Sequence, residues 1–416
     1  MSDLHVGINA RSKDLCPLPS KSNRVADRKY KEKYNSKIED DLRSEFYRFL
    51  EEEEIHADYL VLPGDLTNTG HPNEVKIASA FIEEVAEKLG VESCKILFTP
   101  GNHDTDWDCY DEKDLTGIKW EQRYCAIGHK NYCFRKQIAL GDGDLFGLPY
   151  FTIWRFADLL AVSYNSASHD SPMPKNKIHH GHAIQEYLDK LKFSLDALEI
   201  SDDVIRVFIV HHHLMDFSSP FPDDADFSLM TNGENLLNLL HEMNFDLVIH
   251  GHKHHPRFET HSTKTYSYIP ILCSGSFSAL ISTRWAGKIK NQFHLITIDG
   301  RDGENKLIKG NVKSWANHYD GWEKSELKSC GIHHYIPFGS YVMPKELDAA
   351  IEPFIKECIK KAKCVTWEEV INSFPELKYL PLDSAILSFH RIADKYKMKT
   401  MHETLKDLIL YKRNGE

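Results

Sequence analysis

The chain has 416 residues, 41% of them hydrophobic, which is enough for one large core or two modest ones, and a formal net charge of −11. That charge argues against nucleic-acid binding driven by the whole surface, and no apolar run reaches the roughly eighteen residues of a membrane span. Nine scattered cysteines without a CxxC pair read as reduced thiols, so a cytoplasmic protein is expected, with no secretory leader.

In chain order, the sequence opens MSDLHVGINA. Asp3 and His5 stand two apart, a spacing that lets a carboxylate and an imidazole on one strand end face the same cation. Only two residues precede Asp3, so the strand that should carry the pair is missing. We read this as a chain that continues upstream. The alternative is a stub whose ligands hang from a mobile end and bind a first cation weakly. Between Arg11 and Lys37 nine basic residues stand against three acidic ones. This segment reads as a solvated loop and helix face, with a positive rim for a phosphate-bearing substrate as the functional alternative.

From about residue 33 to 54 Ile38, Leu42, Phe46, Phe49 and Leu50 recur at helical spacing. "DYLVLPGDLTN" is an apolar run stopped by Pro-Gly, a buried strand ending in a loop. A helix follows from Asn73 to about Leu89, closed by Gly90. "CKILFTPGNHD" repeats the strand-then-Pro-Gly design, and this βαβ rhythm predicts parallel central strands with ligands beyond their C-terminal ends. Residues 105–148 are irregular and aromatic-rich, as in a cap-like insertion that faces substrate.

"YFTIWRFADLLAVSYNSA" reads as a hairpin, 183–198 as an amphipathic helix, and "VIRVFIVHHH" as a buried strand. A helix over 235–244 leads to "FDLVIHGHKHH", a strand ending in histidines. "YSYIPILCSGS", "QFHLITID" and "KLIKGNVKSW" read as successive strands of a second sheet. Past Pro344 the pattern is helical over 344–363, 366–373, 383–396 and 400–411. We expect a domain over 1–340 and a C-terminal helical region over 341–416 that packs on the sheet, forms a homodimer or recruits a protein partner.

Four strand ends share one design, an apolar run followed at once by small residues and metal-ligand side chains: "GDLTN", "GNHD", "HHH" and "GHKH". Asp3 and His5 make a fifth. Gly-Asp alone carries little information, and "GNHD" more. His252 and His254, two apart, face one side of a strand end. Together these ends supply Asp, His, Asp, Asn, His, His and His, a set for two cations bridged by one carboxylate. Such a pair polarises a phosphoryl group and activates a bridging hydroxide. Mixed His, Asp and Asn donors suit Mn, Fe or Zn. Each of these residues also has a plain role as a turn or capping residue, since Asp and Asn favour turns after Pro-Gly. Their joint order along the chain is what argues for a site.

These blocks resemble those of the calcineurin-like metallophosphoesterases: D-x-H at Asp3-Leu4-His5, G-D at Gly64-Asp65, G-N-H-D at Gly101 to Asp104, a strand-end His at His211, and G-H-x-H at Gly251 to His254. In motif style the chain is similar to bacterial members that cleave cyclic nucleotides. The resemblance covers roughly residues 1–300. It implies a four-layer α/β/β/α sandwich, here with the C-terminal helical appendage. It also implies a first metal on Asp3, His5, Asp65 and His254, and a second on Asp65, Asn102, His211 and His252. His103 would then serve as the acid that stabilises the transition state, oriented by Asp104. His212 is the alternative to His211, and His250 supports the site from behind or stays buried and neutral. His213, His255, His179, His180, His333 and His334 receive no role.

Three functions follow. The first is a phosphodiesterase acting on a nucleotide, a cyclic nucleotide or nucleic acid. The second is a phosphomonoesterase or protein phosphatase, and the third is a weakened scaffold that recruits a partner. "GDLTNTG" has Thr69-Gly70 where the protein phosphatases of this superfamily carry an Arg that clamps a monoester. That favours the phosphodiesterase, with no membrane association.

Overall fold

Asp41 caps the first helix, α1 (Leu42–Glu52), its carboxylate accepting from the Ser44 amide at 3.1 Å. The computed structural model describes residues 1–16, 41–104, 151–168, 180–216, 229–263, 267–281, 289–302, 306–318, 321–362, 364–401 and 408–411. The 105–148 insertion, most of the basic segment, the helix expected before Asp41 and His179 lie outside the described residues. The chain divides into two units, Met1–His294 with Trp315–Ile332, and Leu295–Ser314 with His333–Glu416.

In the first unit, Leu42, Phe46, Phe49 and Leu50 form the buried stripe of α1. Phe46 packs on Phe277, Phe293 and Trp322, with ring centroids 4.8 to 5.1 Å apart. Strands β1 (Leu60–Leu62) and β2 (Ile96–Phe98) pair in parallel. Between them runs α2 (Pro72–Leu89), with proline in its first turn and left-handed Gly90 closing it.

Six further strands form one sheet in the order β3–β4–β5–β6–β8–β7. They are β3 (Phe151–Arg155), β4 (Leu159–Tyr164), β5 (Ile205–Val210), β6 (Leu247–His250), β7 (Arg257–Ser262) and β8 (Tyr268–Cys273). β4, β5, β6 and β8 run parallel, as the βαβ rhythm predicts, while β3 and β7 are antiparallel edges. Helices α3 (Gln185–Asp196) and α4 (Gly233–Glu242) bury Leu188, Leu191, Leu236 and Leu240 in one core with Phe208, Val210 and Val248 of the sheet. "YSYIPILCSGS" is therefore not in a second sheet. It is β8, between β6 and the unexpected β7.

The N-terminal segment, for which a stub with a mobile end is the alternative reading, is tied. Ser2 bridges Ser276 and Val6 bridges Thr67, both in parallel. Asp3 and His5 donate their amides to Gly64 and Asp65 at 3.1 and 3.0 Å, and Phe277 donates to the Ser2 carbonyl at 2.8 Å. Leu4 and Val6 are fully buried. The segment thus fills the slot beside the loop after β1, with the Asp3, His5 and Val6 amides and the Ser2, Asp3 and Leu4 carbonyls paired.

Also in the first unit, the end of β10 (Ile308–His318) pairs with β11 (Gly321–Lys324), followed by α5 (Leu327–Cys330). In the second unit, the start of β10 pairs with β12 (Tyr335–Phe338). β9 (Gln292–Arg301), which begins in the first unit and continues into the second, also pairs with β10. Helices α6 (Pro344–Lys361), α7 (Trp367–Ser373) and α8 (Leu382–Lys395) follow near the expected limits. Leu347, Ile351, Ile355, Trp367 and Phe389 belong to one core there. The expected helix over 400–411 is not seen in its described residues. Lys399–Met401 and Ile409–Tyr411 are strands β14 and β15, in a small antiparallel sheet with β13 (Cys364–Thr366).

Candidate metal centre

Five of the seven expected ligands stand just past the C-terminal end of a strand, where the last backbone pairing releases the chain to turn. Asp65 follows β1, Asn102 follows β2 in a short 3-10 turn, His211 follows β5, and His252 and His254 follow β6. Asp3 and His5 reach the same place from the N-terminal segment. Among the described residues ten non-glycine residues have positive φ, and five of them are Asp3, His5, Asp65, His252 and His254. Such conformations cost about 1–3 kcal/mol each and persist where the surroundings fix them, typically at functional sites.

Two adjacent glycines permit the approach. A Cβ on Gly101 would lie 2.1 Å from Asp65 Oδ1, and one on Gly251 would lie 2.6 Å from Asp3 Oδ2. A side chain at either position would force its neighbours to shift.

The side chains form two groups that share one carboxylate. Asp3, His5, Asp65 and His254 each bring a ligand atom within 4.8 Å of the others, and so do Asp65, His211 and His252. Asp65 Oδ2 lies 3.4 Å from His5 Nε2 and 3.2 Å from His211 Nε2, so a single oxygen faces both groups. In the first group His5 Nε2 is 3.1 Å from His254 Nε2, and His254 Nε2 is 3.3 Å from Asp3 Oδ1. In the second, His211 Nε2 is 3.1 Å from both Asn102 Oδ1 and His252 Nδ1. Nitrogens and oxygens this close, with few protons to share, could hold a cation. The Nδ1 of buried His5 is left without a hydrogen bond.

The supporting contacts fix the rings. His211 donates Nδ1–H to the Pro63 carbonyl at 2.8 Å, which turns its Nε2 toward Asp65 and Asn102. Asp3 accepts from the His252 amide and from the Ser2 hydroxyl at 2.5 Å. His212, the alternative to His211, turns to Ser166 Oγ at 2.8 Å.

Electrostatics follow the same division. Burial alone would raise the Asp65 carboxyl, yet the imidazoles of His211, His103 and His5 hold it well below the carboxylate range. Burial opposes charge on His211, but Asp65 and Asp3 push it up to about 9. Burial carries His5 down to about 3, against the pull of Asp65.

His103 lies beside the first group, its ring centroid 4.6 Å from that of His5. The orienting contact that the resemblance implied for Asp104 comes from elsewhere. The His103 Nδ1 donates to the Asn68 carbonyl at 2.9 Å. Asp104 accepts from the Gly101 amide at 2.9 Å and from the Thr67 amide and hydroxyl at 2.8 and 3.0 Å, pinning the two Pro-Gly loops together. The Asn68 loop is in turn held by Glu74, whose carboxylate accepts from the Thr69 amide and hydroxyl. Sequence reading missed Asn68 because its part is played by a backbone carbonyl. Glu74 left a faint signal, an acid in the first turn of a helix.

A sequence model described as calcineurin-like phosphoesterase matches residues 1–256. No curated protein matches the chain. Similar solved structures include the purple acid phosphatase PPD1 from yellow lupin (Lupinus luteus) seeds, 13% identical over 66% of this chain and 46% of that one, with a TM-score of 0.40. Another is the NAD nucleotidase NadN of Haemophilus influenzae, 11% identical over 80% of this chain and 68% of that one, with a TM-score of 0.35. The phosphopantetheinyl hydrolase PptH of Mycobacterium tuberculosis is 12% identical over 52% and 78%, with a TM-score of 0.30. This chain spans less than half the length of the lupin protein.

Proposed function

The chain belongs to the calcineurin-like phosphoesterase family, and from that membership we propose a two-cation hydrolase that prefers phosphodiesters, of the nucleotide, cyclic-nucleotide or nucleic-acid kind. The observation that carries this reading is the single oxygen, Asp65 Oδ2, facing His5 on one side and His211 on the other. Asp3, His5, Asp65 and His254 would hold one cation, and Asp65, Asn102, His211 and His252 the other. The donors suit Mn, Fe or Zn. When bound, such a pair polarises a phosphoryl oxygen and lowers the pKa of a coordinated water.

The chain's own residues do the rest. Asn68 holds His103 by Nδ1, so a second proton on the ring sits at Nε2, from which His103 can deliver it to the leaving oxygen. Asp104 keeps the Gly101 and Thr67 loops in register, which fixes Asn102 and Asp65 relative to each other. Thr69 stands where an arginine would clamp a dianionic monoester, and its hydroxyl is engaged by Glu74. A diester, with one charge fewer, has less need of that clamp.

The test is turnover of Mn-loaded protein on bis-p-nitrophenyl phosphate and p-nitrophenyl phosphate, then on cyclic nucleotides and labelled DNA and RNA. The reading expects a higher kcat/KM on the diester. An advantage for the monoester would move the protein to the phosphatases.

A further inference from the structure

We propose that the protein carries a further cation site, separate from the candidate centre, built from His213, His250 and Cys273 and suited to a thiophilic ion of the zinc type. The three side chains come from neighbouring strands of the six-stranded sheet. His250 ends β6, Cys273 ends β8 and stands opposite His250 in the parallel register, and His213 lies just past β5. One ligand atom from each lies within 4.8 Å of the other two. His213 and His250 are fully buried, and Cys273 is 1% exposed.

The spacing fits one ion. The Nδ1 atoms of His213 and His250 are 3.0 Å apart. Two imidazole nitrogens on a tetrahedral zinc, each about 2.0–2.1 Å from the metal, stand roughly 3.3 Å apart. The Gly251 carbonyl lies 3.3 Å from His250 Nδ1 and 3.9 Å from Cys273 Sγ, an oxygen at hand for a fourth position.

The donor chemistry sets this cluster apart from the candidate centre. It has a thiol and no carboxylate, whereas the two groups around Asp65 have carboxylates and no thiol. Soft sulfur selects zinc or cuprous ions over manganese or magnesium. On binding, Cys273 gives up its thiol proton to solvent and the thiolate takes the cation, so uptake releases a proton. Without an ion, the same atoms form a His213–His250 hydrogen bond and a Cys273 contact to the His255 carbonyl at 3.2 Å. Experiment separates these two states.

The full chain is expressed in zinc- or cobalt-supplemented medium and treated with iodoacetamide to cap accessible thiols. The proposal expects a thiolate-to-cobalt charge-transfer band, a zinc–sulfur shell at about 2.3 Å in X-ray absorption, and one metal equivalent beyond those of the candidate centre. Cys273→Ser should lose the band, the sulfur shell and that one equivalent, and keep phosphoester hydrolysis. A wild-type protein with neither band nor sulfur shell would overturn the site, as would a band that survives Cys273→Ser. Should Cys273→Ser fail to fold, the wild-type sulfur shell and the loss of one equivalent in His250→Gln decide the matter. None of these outcomes bears on the phosphodiesterase reading, whose assay depends on the other ligands.

Discussion

The ring of His103 is held by the backbone carbonyl of Asn68, at 2.9 Å from Nδ1. A carbonyl can only accept, so it fixes Nδ1 as the protonated nitrogen and directs Nε2 away from the loop. His103→Ala should therefore keep the metal content and lower kcat by about a hundred- to ten-thousand-fold. The loss should be greater for substrates with poor leaving groups. Metal analysis beside turnover checks this, and loss of metal from a folded variant would make His103 a ligand instead.

Glu74 supports the same loop from a buried position. Burial raises its carboxyl from 4.5 to about 7, against the pull of the Thr69, His71 and Asn68 amides. The folded state thus binds this proton more tightly than the unfolded chain. The contribution is fully present below about pH 4.5 and is lost as pH rises through about 7, a change on the order of 3 kcal/mol. Denaturant melts of the wild type and Glu74→Gln at several pH values should show a declining component that the variant lacks. Parallel pH profiles would rule this role out.

Gly101→Ala places a methyl against Asp65 Oδ1 and the Asp65 amide, at 2.1 and 2.6 Å. Overpacking of this kind costs about 1–3 kcal/mol, and the strain falls on the shared ligand. The variant should bind its metals more weakly than Gly90→Ala, in which the left-handed φ of +76° strains the backbone but the new Cβ meets nothing within 4 Å. Equal metal affinity in the two variants would show that the approach of Gly101 to Asp65 is not needed.

Much of this fold is legible in the sequence wherever the signal is local. The parallel central strands follow from apolar runs stopped by Pro-Gly, and α2 ends at the glycine that closes it. That Asp65, Asn102, His211, His252 and His254 lie past strand ends follows because each needs only its own strand to be found, while their assignment as ligands is what the family resemblance implies. Pairing between distant segments is less visible. β8 reads as the start of another sheet because nothing in "YIPILC" says which neighbour it takes. β7 is half-buried along most of its length, so it lacks the alternation that marks a strand. β14 and β15 are three residues each, too short to outweigh a helical pattern around them. Asn68 acts through its main chain, which residue identity does not encode.

The central claim is that one carboxylate serves two cations, and the most direct measurement is the metal content of Asp65→Ala. Asp65 Oδ2 lies between His5 and His211, so its removal takes a ligand from both groups at once. Elemental analysis of the folded variant should show both of these cations lost together, with hydrolysis abolished, while His254→Ala weakens one site more than the other. A folded Asp65→Ala protein that retains both cations at wild-type affinity would contradict the account.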